Sequence, residues 1–68
     1  MNNTLHEAMM KLLDITGNMS VNVMLKLIKQ ENLYTKKDGS PLTINQLYAR
    51  ANRYPHLFWV KEGRIGKR

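Results

Sequence analysis

One short segment collects side chains that are suited to reading nucleic acid. Placed on a helix at 100° per residue, residues 44–53 (INQLYARANR) divide into an apolar face and a polar face. The polar face has no acidic residue. Its amides can pair with adenine, its arginines with guanine, and its one small residue permits close approach. We predict that this helix enters the DNA major groove through Asn45, Gln46, Ala49, Arg50 and Arg53, with Asn52 beside them.

The positive charge of the chain is confined to its second half. Residues 1–34 hold three basic and three acidic residues, whereas residues 35–68 hold eight and two, so the second half carries the whole net charge of +6. Solvated lysines and arginines are common on helix surfaces, but an uneven distribution favours a surface that meets a polyanion. The predicted contacts with the DNA backbone are Lys36, Lys37, Lys61, Arg64, Lys67 and Arg68.

The residues that could support catalysis are few and scattered. The two histidines, His6 and His56, are far apart in the sequence. The chain has no Cys, and only five of its residues are acidic. Ser20 and Ser40 are typical of a helix cap and a turn, not of nucleophiles. We therefore expect no enzymatic activity, no catalytic residue, no metal site and no cofactor.

Length and composition indicate one small globular domain, spanning residues 1–68. Of the 68 residues, 43% are hydrophobic and 24% charged, which is typical of a folded chain. No apolar run approaches the ~20 residues of a membrane span. The first residues, MNNTLHEAMM, lack the basic-then-apolar order of a signal peptide. We expect a cytoplasmic protein, associated with the nucleoid if bacterial, without a membrane partner.

Helix boundaries follow from caps and breakers. Thr4 with Glu7 forms a capping box, which predicts a helix over 5–16 that stops at Gly17. Ser20 caps a second helix over 21–32. Thr43 with Gln46 begins the third helix, which must end near residue 53 because a proline follows at 55.

The C-terminal residues predict a β-hairpin. Residues 58–60 favour a strand, Glu62-Gly63 is a two-residue turn, and residues 64–65 begin the return strand. The predicted register turns Phe58, Val60 and Ile65 inward and leaves Trp59, Lys61 and Arg64 outside. A slip of one residue would bury the single tryptophan, and we expect it to be at least partly buried.

These elements together predict a mainly α fold with a small C-terminal β-hairpin. The order helix, helix, loop, helix, hairpin is that of a winged helix-turn-helix, with three helices plus a wing. An isolated hairpin is barely stable in water, so this one must pack against the helices.

Four segments resemble the HARE-HTH domain family, a winged helix of chromatin proteins, restriction endonucleases and the delta subunit of bacterial RNA polymerase. They are TLHEA, LYTKKDGSPLT, INQLYAR and HLFWVKEGRIG, and they cover the chain from about residue 4 to residue 66. The resemblance implies a non-catalytic domain that binds DNA or serves as an adaptor in transcription regulation. The compact tract before the third helix and the Gly-Lys-Arg ending depart from the family and imply a short wing.

Double-stranded DNA is the expected partner, and two alternatives remain. A protein-interaction or adaptor module of a larger transcription, chromatin or restriction-modification machine would use an exposed apolar patch around Met10 and Trp59. RNA is less favoured, because the sequence shows no sheet with stacking aromatics.

Overall fold

Local signals define the ends of the helices in the computed structural model, which describes residues 4–68. Helix α1 spans Leu5–Thr16, α2 spans Val21–Gln30 and α3 spans Ile44–Arg53. The predicted bounds of α1 and α3 are confirmed. Residues 1–3, which begin the predicted domain and the segment assessed as a signal peptide, lie outside the described residues.

Both predicted capping boxes are present. At α1 the backbone N–H of Thr4 donates to Glu7 Oε1 at 2.9 Å, and the Glu7 N–H donates to Thr4 Oγ1 at 3.3 Å. At α3 the Thr43 N–H donates to Gln46 Oε1 at 2.8 Å, and the Gln46 N–H returns to Thr43 Oγ1 at 3.4 Å. Each box satisfies N–H groups that a helix start leaves without intrahelical partners.

Helix α2 ends two residues before the predicted boundary. Asn32 has φ 51°, in the left-handed region that ends a helix. The N–H of Leu33 then donates back to the carbonyl of Ile28 at 3.0 Å, as in a Schellman motif. The signal was in the sequence, since asparagine is the residue after glycine that most readily adopts this conformation.

A three-stranded antiparallel sheet replaces the predicted two-stranded hairpin. Strand β1 spans Asn18–Ser20, β2 spans Phe58–Lys61 and β3 spans Arg64–Lys67, in the spatial order β1-β3-β2. The hairpin of β2 and β3 is confirmed, but β1 was not predicted. Three residues are too few to show the two-residue period of a strand. Pairing with β3, which sets Met19 opposite Ile65, makes β1 a strand.

The hairpin turn has the geometry of a two-residue type I′ loop. Both central residues have positive φ, 50° at Glu62 and 77° at Gly63. This turn matches the right-handed twist of the strands, but a glutamate in the left-handed region is strained. The turn aligns Lys61 with Arg64 at the end of the ladder.

The predicted register is confirmed, although one of its inward side chains is not buried. Phe58 and Ile65 are buried, but Val60 is 37% exposed. Val60 lies on the edge strand β2 close to the hairpin turn, whereas its partner Ile65 is on the central strand β3, which has a neighbouring strand on each side. Trp59 faces outward and is partly buried, as expected, because its indole lies against Gly66 of the neighbouring strand.

The core joins one face of every helix to the inner face of the sheet. α3 contributes Leu47 and Ala51, both essentially buried, while Ile44 and Tyr48 pack at its margin, as predicted. Met10, which the sequence places off the α1 apolar stripe, instead packs against the core. The fully buried large side chains are Met9, Leu13, Met24, Ile28, Leu47, Phe58 and Ile65.

Candidate nucleic-acid interface

The exposed side of α3 presents the polar face that its sequence predicts. Asn45, Ala49, Asn52 and Arg53 are exposed, while Leu47 on the opposite side is buried. We call this the α3 surface, and it comprises Asn45, Gln46, Ala49, Arg50, Asn52 and Arg53. The helix is about 15 Å long. Its width with side chains matches the ~12 Å major groove of B-DNA.

A groove of about 200 Å³ runs along the α3 surface, between α3, the start of α1 and the loop that follows α2. Its apolar part comes from Leu5, Leu42 and Ala49, and three cationic side chains line it with them. Among the described residues that line the groove, the only charged side chains are cationic. The groove brings together five predicted contact residues: Lys36, Gln46, Ala49, Arg50 and Arg53.

Gln46 has a structural task that restricts what it can read. Its Oε1 accepts from the Thr43 N–H at 2.8 Å and from the Thr43 hydroxyl at 3.4 Å. A bidentate pair with adenine uses both the oxygen and the nitrogen of an amide. With the α3 cap intact, only the Gln46 Nε2 hydrogens are available to a base or a phosphate.

Arg50 is held in place by a residue that the sequence did not connect to it. Its Nη1 lies 3.1 Å from Nδ1 of His6, and because a guanidinium has no acceptor, the arginine is the donor. This assigns the imidazole proton to Nε2, which lies 3.3 Å from Thr4 Oγ1. The His6 ring stacks on Tyr54 with centroids 4.3 Å apart. A contact across 44 residues leaves no local pattern.

In residues 4–68, no carboxylate lies within 4.0 Å of Arg53, Lys36, Lys37 or Lys61. Among the described residues, the one ion pair joins Lys67 to Asp14, at 3.1 Å. Arg53, Lys37 and Lys61 are also exposed. These side chains are therefore free to meet an anion without first giving up an internal ion pair.

The hairpin holds most of its cations differently. Arg64 donates from Nε and Nη2 to Asn18 Oδ1 at 3.0 and 2.8 Å. Arg68 donates from Nε to the carbonyls of Pro55 and Phe58 at 2.6 and 3.1 Å. With Lys67 paired to Asp14, three of the four hairpin cations (Lys61, Arg64, Lys67 and Arg68) have partners within the protein. The sequence predicted their charge but not these partners.

The loop before α3 carries mixed charge. Asp38 accepts from the side chain and the backbone N–H of Ser40 at 2.7 and 2.9 Å, and these two hydrogen bonds hold the pKa of its carboxyl below the usual value. In the sequence, Asp38 directly follows Lys37 and is two positions after Lys36. It partly offsets their attraction for a polyanion.

A second groove, of about 330 Å³, continues from the first and shares Tyr34, Lys36 and Leu42 with it. It adds Lys29 of α2 to the positive surface. The sequence places Lys29 on the outer side of α2, but only the tertiary packing sets it beside the loop at 35–41. Lys29 and Tyr34 are thus lining residues that the sequence-based site omits.

The described part of the chain has neither a metal-binding cluster nor a helix that could span a membrane. In residues 4–68, no group of three or more His, Cys, Asp or Glu side chains could hold a metal ion. No helix among these residues is long and apolar enough to cross a membrane.

No protein-family model matches the chain, and no curated protein or solved structure matches it.

Proposed function

We propose that this protein is a winged helix-turn-helix of the HARE-HTH kind that binds double-stranded DNA. The element order α1-β1-α2-α3-β2-β3 and the three-stranded antiparallel sheet are consistent with that fold. In this proposal α3 enters the major groove and β2-β3 is the wing. The proposal agrees with the resemblance drawn from the sequence, which no family match supports.

The observation that carries the proposal is the groove along α3. Five side chains that the sequence predicts as DNA contacts line one groove that has no acidic residue. A surface of amides, arginines and one small residue suits base edges, and flanking lysines suit phosphates.

We expect these residues to differ in what they contact, some meeting base edges and others the DNA backbone. Asn45 and Ala49 are exposed and free of the cap, so they are the best candidates for base reading, together with Arg53. Gln46 supplies a donor only. Backbone contacts come from Lys36, Lys37 and Lys61, while Arg64, Lys67 and Arg68 must first release or share their internal partners.

The first test is an NMR titration of the labelled protein with a duplex of mixed sequence, at low and then moderate salt. We expect shifts in residues 45–53 and at Lys36 and Lys61 that fade as salt rises. With ~5 phosphates neutralised, the log–log salt slope is about −4.5, and affinity falls several-hundredfold between ~50 and ~200 mM salt. A spectrum that does not move at low salt would sink the proposal.

Arg50 distinguishes base reading from backbone anchoring. Arg50→Ala should weaken binding to a preferred site by about 1–3 kcal/mol if Arg50 contacts a base. An equal loss on every sequence would make it a phosphate anchor. Lys26→Ala is the matched control, because Lys26 is an exposed cation on the outer side of α2.

An adaptor function is the second candidate, and one observation favours it. Ile15, at the end of α1, is 84% exposed, the most exposed large hydrophobic side chain among the described residues. Met10, which the sequence places in the predicted patch, is only partly exposed because it packs against the core. Ile15→Ser should abolish binding to a protein partner and leave duplex binding unchanged.

A further inference from the structure

The outer face of the sheet carries a second set of binding groups. The inward side chains of the strands, Met19, Phe58 and Ile65, are buried against the helices. Because side chains alternate along a strand, the residues between them lie on the opposite face. Those outer positions hold no acidic residue. They are Asn18, Ser20, Trp59, Lys61, Arg64 and Gly66.

Trp59 is fixed as a flat aromatic surface on this face. It stands directly opposite Gly66, and its indole occupies the space where any other residue would have a Cβ. One side of the ring is therefore set against the backbone of β3. The residue is only partly buried, and it is not among the side chains that pack against the core. Its remaining surface faces away from the helices.

Two cations lie on one side of the indole, toward the hairpin turn. Lys61 is two residues farther along β2, about 6.6 Å away on the same face, and Arg64 stands opposite Lys61 on β3. Arg64 is oriented by its two hydrogen bonds to Asn18. A guanidinium has five N–H donors, so those not engaged by Asn18 remain for an anion.

We propose that this face binds single-stranded nucleic acid, with an unpaired base stacked on Trp59 and adjacent phosphates contacted by Lys61 and Arg64. An aromatic platform beside cations is the arrangement by which single strands are bound without sequence preference, because every base has a π-face. The charge of the face complements a polyanion. This inference goes beyond the proposed duplex function and does not depend on α3.

The test uses the full chain and an oligothymidylate of about 8 nucleotides, within the usual size of a single-strand site. Trp59 is the only tryptophan, so stacking reports directly as quenching of the protein's fluorescence. Affinities of variants are measured by anisotropy of a dye on the oligonucleotide. Trp59→Leu should weaken binding by about 5- to 150-fold, the range for loss of one stacked base.

The control is Arg53→Ala, on the α3 surface. We expect Arg53→Ala to weaken duplex binding and to leave oligothymidylate binding unchanged. We expect Trp59→Leu to weaken oligothymidylate binding and to leave duplex binding unchanged. Lys61→Ala, an exposed position with no packing role, should weaken oligothymidylate binding even if Trp59→Leu lowers stability. A parallel titration with oligouridylate distinguishes DNA from RNA as the ligand. Equal affinity for the two oligonucleotides indicates that the face contacts only base and phosphate, whereas a higher affinity for one of them identifies that nucleic acid as the preferred ligand.

Three results would overturn the proposal. The first is an unquenched indole at saturating oligothymidylate. The second is that Trp59→Leu and Lys61→Ala bind oligothymidylate as tightly as the unaltered chain does. In the third, Arg53→Ala weakens oligothymidylate binding as much as Trp59→Leu does, which would place the strand on the α3 surface. Failure of duplex binding alone would leave this inference intact.

Discussion

The α3 surface carries two cations and the hairpin carries four, and the two regions hold them in different ways. On the α3 surface, no carboxylate of the described residues lies within 4.0 Å of Arg53, and Arg50 donates to the imidazole of His6. On the hairpin Lys67 is paired with Asp14, and Arg68 donates to two backbone carbonyls. The partners of Arg64 and Arg68 are neutral, so these side chains keep their charge, and only Lys67 has its charge offset by a carboxylate. The number of cations in a sequence therefore overstates the number of donor groups that a surface can offer to a polyanion.

The difference follows from what each region has to do in the fold. The hairpin lies on a small sheet whose third strand is only three residues long, and its cations connect β3 to α1, to β1 and to the segment before β2. Helix α3 is anchored by its buried face instead. Of its outer side chains, Gln46 caps the helix and Arg50 donates to His6, whereas Arg53 makes no ion pair with the described residues and is available for binding.

The largest expected effect concerns the hairpin framework. Gly66→Ala places a Cβ into the indole of Trp59, so the ring must move or β3 must shift. Overpacking of this kind costs ~1–3 kcal/mol of unfolding free energy, measurable by urea denaturation. The same substitution in a Trp59→Leu background is the control. A loss of equal size there would mean that the indole is not the obstacle.

The comparison of the two regions is tested most directly by salt dependence. Arg53→Ala should weaken duplex binding about tenfold and reduce the magnitude of the salt slope by about 0.9, because one phosphate contact is lost. Lys67→Ala should leave the slope unchanged, since its ammonium is already paired with Asp14. Equal changes in slope for the two variants would show that the hairpin cations bind phosphate as freely as those of α3.

The hairpin turn offers a smaller gain. Glu62→Asn should raise the free energy of unfolding by about 0.5–1 kcal/mol, because asparagine tolerates the positive φ that strains glutamate. Glu62→Gln is the matched control, since it removes the same charge without relieving the turn. If both variants stabilise equally, charge and not backbone strain is responsible.

The two capping boxes differ in their response to acid, with the smallest expected effect. Hydrogen bonds from the Thr4 backbone N–H and, second, the Thr4 hydroxyl lower the pKa of Glu7. A lowered pKa gives stability that is present above the unfolded-state value of about 4.3 and lost as pH falls through the folded-state value. Gln46 does not titrate, so the α3 cap persists.

Thermal melts from neutral pH down to about pH 3 check this expectation. In Glu7→Gln, the melting temperature should fall less as the pH is lowered. In Gln46→Glu, it should fall more, because the cap of α3 then titrates as well. If Glu7→Gln leaves the pH dependence of the melting temperature unaltered, the carboxylate of Glu7 contributes nothing measurable to folding stability.

Several features of the fold are local and were predicted from a few neighbouring residues. The capping boxes at Thr4 and Thr43 fix where α1 and α3 begin, and the Glu62-Gly63 pair fixes the hairpin turn. The polar face of α3 also follows from helical spacing alone. Each of these needs only side chains within about four residues of one another.

What the sequence determined by itself is thus the helices, the hairpin and the uneven distribution of charge. Only the tertiary structure decided that residues 18–20 form a strand, that His6 holds Arg50, and that Asp14 pairs with Lys67. These contacts join residues more than 40 positions apart. No periodicity encodes them, because they arise when separate elements pack on one core, and they decide which cations are free to bind.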